Sequence, residues 1–206
     1  MSIKRTLLFI GLLLAYFGRT QAPLADFSAS PLVACVGESI SFTNSSSANG
    51  GSPIQEFVWD FGDGNTSTEE SVYHSYALPG TYTVVLVVTN ASGEADPEVK
   101  DSYITILPTP NADFDPMGLG CTVPLTLSFE MNSTQANYSY AWDFGNGNTE
   151  NVPNPPDQTY NTVGNYDISL IVTDNDNGCA DTVIENISVS NYQADFIFPE
   201  TVCVGE

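Results

Sequence analysis

Basic residues are scarce in this sequence. The 206-residue chain has four Lys or Arg against 25 Asp or Glu, a formal net charge of -21. Phosphate binding draws on Lys and Arg, so this balance excludes nucleic acid as a partner and disfavours anionic lipid. Histidine occurs once, at His74. Nucleophile–base chemistry usually draws on a histidine with a positioned partner, and one imidazole cannot build a zinc site alone. Long apolar runs are absent after residue 22, and no stretch carries a helical period. Such a chain suits solvated, extracellular surroundings, and solubility alone is a sufficient account of its acidity.

The apolar run that is present stands at the N-terminus. Lys4 and Arg5 precede Leu7 to Phe17. A charged start followed by a short apolar stretch reads as a signal peptide over residues 1–22, with small residues at Thr20 and Ala22. Pro23 is unfavourable just after that site. The run is shorter than the roughly 18–20 apolar residues of a bilayer span. An uncleaved anchor is the competing reading. Cleavage leaves Lys100 as the single basic residue and no membrane span.

The chain repeats itself. ADF occurs at Ala25, Ala112 and Ala194, with a cysteine after each, at Cys35, Cys121 and Cys203. GTYTVVLVVTN from Gly80 returns as GNYDISLIVTD from Gly164, and WDFGDG from Trp59 returns as WDFGNG from Trp142. A period of this length is a domain rather than a solenoid unit. We read a first domain over 23–108, a second over 109–191, and the start of a third over 192–206. The Pro-punctuated ILPTPNADF from Ile106 marks the first boundary.

Each copy reads as all-β. Tyr82, Val84, Leu86 and Val88 alternate with their neighbours, as do Tyr166, Ile168, Leu170 and Val172. Ile40 and Phe42, and Leu125, Leu127 and Phe129, do the same. A period of two places each set on one face. Ser102 to Leu107 and Asn186 to Val189 read as closing strands. Several short strands between Gly, Asn, Pro and Ser clusters point to a two-sheet sandwich.

Asp and Gly in WDFGDG admit catalytic, metal-binding and turn readings. Trp59 and Phe61 share one face and Asp60 the other. Gly62, Asp63 and Gly64 then suit a tight turn, because glycine tolerates positive φ and Asp accepts hydrogen bonds from turn amides. The second copy has Trp142, Asp143, Gly145, Asn146 and Gly147. Asn146 cannot act as a general acid or carboxylate nucleophile, yet it can hold the same turn. His74 is replaced by Gln158, so a structural hydrogen-bonding role outweighs a catalytic one.

These motifs resemble the PKD (polycystic kidney disease) domain: WDFGDG, then HSYALPGTYTVVLVVTN. The resemblance covers about 25–107 and 112–190, with Ala194 opening a third copy. The second copy departs at Asn146, Gln158 and Val163, where the first has Asp63, His74 and Pro79. The resemblance implies tandem immunoglobulin-like β-sandwiches. It also implies surface exposure in bacterial adhesins, large cell-surface proteins or accessory regions of secreted hydrolases. The partners implied are other surface proteins or glycans, and no cofactor is implied. Fold likeness does not by itself fix function.

Four cysteines suit an oxidising compartment and allow three connectivities. Cys121 and Cys179 flank the long strand of copy two and are expected to bridge, which the resemblance supports. Glu94 stands where Cys179 stands, so Cys35 has no partner within its own copy. A Cys35–Cys203 bridge would join distant domains.

Three further features have simpler readings. Asp174-Asn175-Asp176-Asn177-Gly178 resembles the opening of a calcium loop whose twelfth residue is Glu185, but a hairpin turn explains it as well. Sequons stand at Asn44, Asn65, Asn90, Asn132, Asn137 and Asn186; in a bacterium they are polar composition. Tyr73, Tyr138, Tyr140 and Tyr192 could stack on sugars, although strands favour aromatics anyway. The function expected is non-catalytic spacing, display or adhesion at a cell surface. The alternative is an accessory role beside a protease or polysaccharide hydrolase domain beyond residue 206. A third reading is a carbohydrate- or calcium-binding module.

Overall fold

The computed structural model describes residues 21–118, 122–131 and 134–191. The expected signal peptide lies almost wholly outside them, as do Cys121, Asn132, Tyr192 and the expected third repeat with Cys203. Fifteen strands and no helix occupy the described residues. In the first repeat they are β1 (Phe27–Ser30), β2 (Val33–Cys35), β3 (Ile40–Asn44), β4 (Ile54–Asp60), β5 (Thr66–Ser67), β6 (Val72–His74), β7 (Gly80–Asn90) and β8 (Ala95–Leu107). In the second they are β9 (Phe114–Met117), β10 (Leu125–Met131), β11 (Tyr138–Asp143), β12 (Thr149–Glu150), β13 (Gln158–Tyr160), β14 (Gly164–Asp174) and β15 (Ala180–Val189).

Each repeat has two sheets. Those of the first are β1-β3-β6 and β2-β8-β7-β4-β5. Those of the second are β13-β10-β9 and β12-β11-β14-β15. β1–β3, β4–β5, β4–β7, β9–β10, β10–β13, β11–β12, β11–β14 and β14–β15 pair antiparallel, whereas β2 runs parallel to the end of β8, with Cys35 opposite Leu107. The fold class is all-β, as tandem immunoglobulin-like sandwiches.

Alternation places the cores. Val84, Leu86 and Val88 are buried on β7, and Ile168, Leu170 and Val172 on β14. Phe42 on β3 and Phe129 on β10 face the same way in their repeats, each packed against a tryptophan: Trp59 at 6.0 Å and Trp142 at 6.1 Å between ring centroids. β8 and β15 begin earlier than the alternation from Ser102 and Asn186 suggests. Their first halves have no buried residue on either face. Hairpin pairing with β7 and β14 builds them, rather than burial, so hydropathy alone does not reveal them.

Compactness does not follow the repeat boundary. One unit holds Met1–Ser30, Ser41–Tyr73 and Tyr82–Ser102; the other holds Pro31–Ile40, His74–Thr81 and Tyr103–Glu206. Within the second unit Cys179 is bonded to Cys35, with Cα atoms 5.7 Å apart. This overturns the expected Cys121–Cys179 bridge and excludes Cys35–Cys203. The reason is local. Parallel pairing holds Cys35 beside Leu107. The β14–β15 turn reaches the next residue, where Asn177 Nδ2 donates to the Pro108 carbonyl at 3.1 Å. Asn177 Oδ1 also accepts the Cys179 amide at 2.7 Å. The two sulfurs therefore meet through the chain that follows β8.

Lys100 is held on the first repeat's edge. It forms a 3.2 Å ion pair with Asp26, donates to the Phe27 carbonyl and lies 4.6 Å over the Phe27 ring. The bond that Lys100 Nζ donates to Asp26 Oδ1 is the main reason the Asp26 carboxyl sits below its ordinary value.

Candidate functional site

The two Trp-Asp-Phe-Gly turns have the same wiring. β4 and β11 end at Asp60 and Asp143, which carry their side chains outward, while Trp59, Phe61, Trp142 and Phe144 are buried. The rings at each site stack nearly parallel, 4° and 7° between planes. Asp60 Oδ1 accepts the Gly62 amide at 2.9 Å, and Asp143 Oδ1 accepts the Gly145 amide at 2.9 Å. Asp63 Oδ1 accepts the Asn65 amide at 3.0 Å, and Asn146 Oδ1 accepts the Asn148 amide at 3.0 Å. Both side chains therefore cap the turn with an oxygen, whether or not it carries charge.

The glycines are needed for space as well as for conformation. Gly62 and Gly145 have φ of 78° and 67°. A Cβ there would stand 2.4 Å from the Thr83 carbonyl oxygen and 2.6 Å from that of Asp167. Gly145→Ala is expected to destabilise the protein by about 2–3 kcal/mol, from strain at positive φ and displaced backbone. Gly147→Ala, with no atom within 4 Å of its Cβ, is expected to cost less. Urea denaturation of the two variants measures the difference.

His74 and Gln158 occupy equivalent places. The His74 ring meets Tyr76 edge-on at 4.7 Å. Gln158 is buried, accepts from Asn148 Nδ2 at 2.9 Å and donates to the Pro156 carbonyl at 2.8 Å. In the first repeat the equivalent amide, Asn65 Nδ2, goes to Asp63 Oδ2 at 2.9 Å. The two substitutions are thus linked: when Asp63 becomes Asn146, the neighbouring amide turns to Gln158.

The residues from Asp174 form a hairpin turn. Asp174 Oδ1 accepts the Asp176 amide, and Asn137 Nδ2 bridges Asp174 Oδ1 and Asp176 Oδ2. Glu185 pairs opposite Ile168, some 20 Å down the strand from Asp174 at about 3.3 Å per residue. It cannot close a loop opened by Asp174. Asn90 does the same work in the first repeat, accepting the amides of Ser92 and Glu94. Among the described residues no group of three or more His, Cys, Asp or Glu is placed to hold a metal.

Of the tyrosines proposed for stacking, Tyr140 is buried and Tyr138 packs against the second core, whereas Tyr73 is 76% exposed. Sequence reasoning missed Asp96 and Asp181, whose carboxylates accept the Ala25 and Ala112 amides at 2.9 Å each. Their recurrence in SGEAD and NGCAD, in step with ADF, was the available signal. It also missed Tyr160, which donates to the Phe144 carbonyl at 3.0 Å. Burial, then the neighbouring Tyr166, pushes the Tyr160 phenol from 10.0 up to about 12. Folding therefore favours the protonated phenol. That contribution is complete below pH 10 and is lost as pH rises towards about 12. Tyr160→Phe is expected to flatten this alkaline loss in denaturation midpoints.

The geometry defines paired β-sandwich modules whose repeated motifs hold turns. The chain belongs to the PKD family: the PKD domain model matches residues 20–106 and again 107–189. It is 45% identical over 58 residues to a microbial collagenase of Vibrio alginolyticus, covering 28% of this chain and 7% of that protein. It is 30% identical over 165 residues to the pre-pro-metalloprotease PrtV of Vibrio cholerae, covering 79% of this chain and 17% of that protein. The chain thus spans a small part of these relatives. Among solved structures it is similar to the PKD1 domain of PrtV, at 34% identity over 41% of this chain and 99% of that one, with a TM-score of 0.36. No helix among the described residues is long and apolar enough to cross a membrane.

Proposed function

We propose that the chain is a non-catalytic extracellular module pair that spaces, displays or adheres at a bacterial cell surface, through contacts with surface proteins or glycans. One observation carries this reading. The second repeat exchanges Asp63 for Asn146 and keeps the same 3.0 Å turn bond. Proton-transfer chemistry would need the carboxylate, whereas a turn needs only the oxygen. The acidic surface keeps such modules apart in solution.

A second reading is favoured by the relatives, which are named as collagenases and a metalloprotease and of which this chain matches a minor share. In that reading the repeats are accessory to a protease or polysaccharide hydrolase domain elsewhere in a longer protein. The gene sequence beyond residue 206 separates the two: further repeats favour the stalk, and a hydrolase domain favours the accessory role. The common core of both is tested with the purified chain on insoluble collagen, cellulose and chitin, with and without calcium. Retention without release of soluble peptide or sugar is expected. Release of fragments overturns the non-catalytic reading, and no retention on any material overturns the adhesive one.

A further inference from the structure

Beside the Trp142–Gly147 turn the second repeat has an open cavity of about 400 Å³. Its wall includes Asn146, Asn148, Thr159, Asn161, Thr162 and Tyr166. We infer that this cavity is a binding subsite for a neutral oligosaccharide. The inference rests on the adhesive form of the proposed function and names its contact.

The chemistry of the wall points there. In a chain with 25 Asp and Glu, none of the lining side chains carries a charge. An anion finds no cation, and a metal ion finds no carboxylate. What remains is hydrogen-bonding capacity of both kinds. Asn146 uses its oxygen on the Asn148 amide, and Asn148 uses its NH₂ on Gln158. The Asn146 NH₂ and the Asn148 oxygen are left as a donor and an acceptor at the cavity. Asn161 is exposed and presents a whole amide. An amide offers a donor and an acceptor side by side, which matches adjacent sugar hydroxyls.

Tyr166 supplies the apolar part. Its ring centroid is 4.6 Å from that of Tyr160, and its hydroxyl bonds both the Thr162 carbonyl at 2.8 Å and the Thr162 hydroxyl at 2.7 Å. The ring is therefore fixed before a ligand arrives, which lowers the ordering cost of binding. An aromatic wall with a few placed polar groups is the usual make-up of a small-ligand site.

The first repeat keeps only part of this wall. Alignment of the two Trp-Asp-Phe-Gly turns puts Asp63 and Asn65 where the second has Asn146 and Asn148, and alignment on Tyr76 and Tyr160 puts Ala77, Leu78 and Tyr82 where the second has Asn161, Thr162 and Tyr166. Asn65 and Tyr82 match their counterparts, but Asp63 is a carboxylate and Ala77 and Leu78 are aliphatic, with Leu78 70% exposed. The turn is common to both repeats, and the neutral amide wall belongs to the second.

The test is NMR titration of the full chain with cellohexaose and chitohexaose, and with a Pro-Pro-Gly repeat peptide as the protein alternative. Saturable shifts are expected at the Asn146, Asn148 and Asn161 side-chain amides and at Tyr166, with a dissociation constant near ~1 mM for at least one sugar. Asn161→Ala, at an exposed side chain, is expected to leave the urea midpoint unchanged and weaken binding about tenfold. No saturable shift with either sugar, shifts that Asn161→Ala leaves unaltered, or shifts with the peptide alone would each overturn the site. Retention of Asn161→Ala on insoluble polysaccharide at the native level overturns this site and leaves adhesion standing. Loss of all retention by the native chain overturns both.

Discussion

Trp59→Ala is expected to destabilise the protein by about 3–5 kcal/mol, the usual cost of emptying a large buried aromatic site. Trp59 is fully buried. It meets Phe27 edge-on at 5.2 Å and stacks on Phe61 at 6.3 Å. Its indole NH donates to the Glu69 carbonyl at 2.8 Å, so the variant also leaves that acceptor without its partner. Trp142→Ala should behave alike, since Trp142 packs on Phe114 and Phe144 and donates to Val152 at 3.0 Å. The chain has two tryptophans. Each variant therefore retains one indole as a fluorescent reporter in the other repeat. Urea unfolding followed by that signal and by circular dichroism separates local from global loss. A cost below about 1 kcal/mol would mean the pocket collapses around the gap.

Breaking the Cys35–Cys179 bridge is expected to cost a similar amount. The bonded residues are 144 apart in sequence. Loop-closure entropy for a loop of this size gives about 4–5 kcal/mol, and measured losses more often run to about 2–4 kcal/mol. Cys179 is fully buried, so reduction should be slow in the folded protein and fast once it opens. Denaturation of Cys179→Ser, with the native protein in reductant beside it, gives the stability change. Peptide mapping under non-reducing conditions gives the pairing. Recovery of Cys121 linked to Cys179 would contradict the bond described here.

The bridge also shows where sequence reasoning stops. Strand alternation is legible because burial imposes it: Val84, Leu86 and Val88 face one core, and Ile168, Leu170 and Val172 the other. Turn chemistry is legible because Gly62 and Gly145 need positive φ, whatever lies around them. Cysteine pairing depends instead on which segments meet in space. Cys35 reaches Cys179 because β2 lies parallel to β8 and because Asn177 bonds Pro108. Neither contact leaves a trace in local hydropathy. The early halves of β8 and β15 escape for a related reason, since one face there is exposed and the other only half-buried. The cavity wall of the second repeat is visible in sequence only once the repeats are superposed on Tyr76 and Tyr160. Until then Asn161 and Thr162 read as loop polarity.

The Asp-Gly motifs hold a backbone turn in both repeats, and the proposed non-catalytic role requires that the carboxylate charge of Asp63 be dispensable. The most direct measurement compares Asp63→Asn with Asp63→Ala in urea, with and without calcium. Asp63→Asn retains the oxygen that accepts the Asn65 backbone amide, gives up only the exposed bond from Asn65 Nδ2, and should lose no more than about 0.5 kcal/mol. Asp63→Ala removes both acceptors and should lose about 1–1.5 kcal/mol. Calcium should change neither difference. If Asp63→Asn were as damaging as Asp63→Ala, or if calcium stabilised only the protein that retains Asp63, the carboxylate charge would be the working part and the turn account would be wrong.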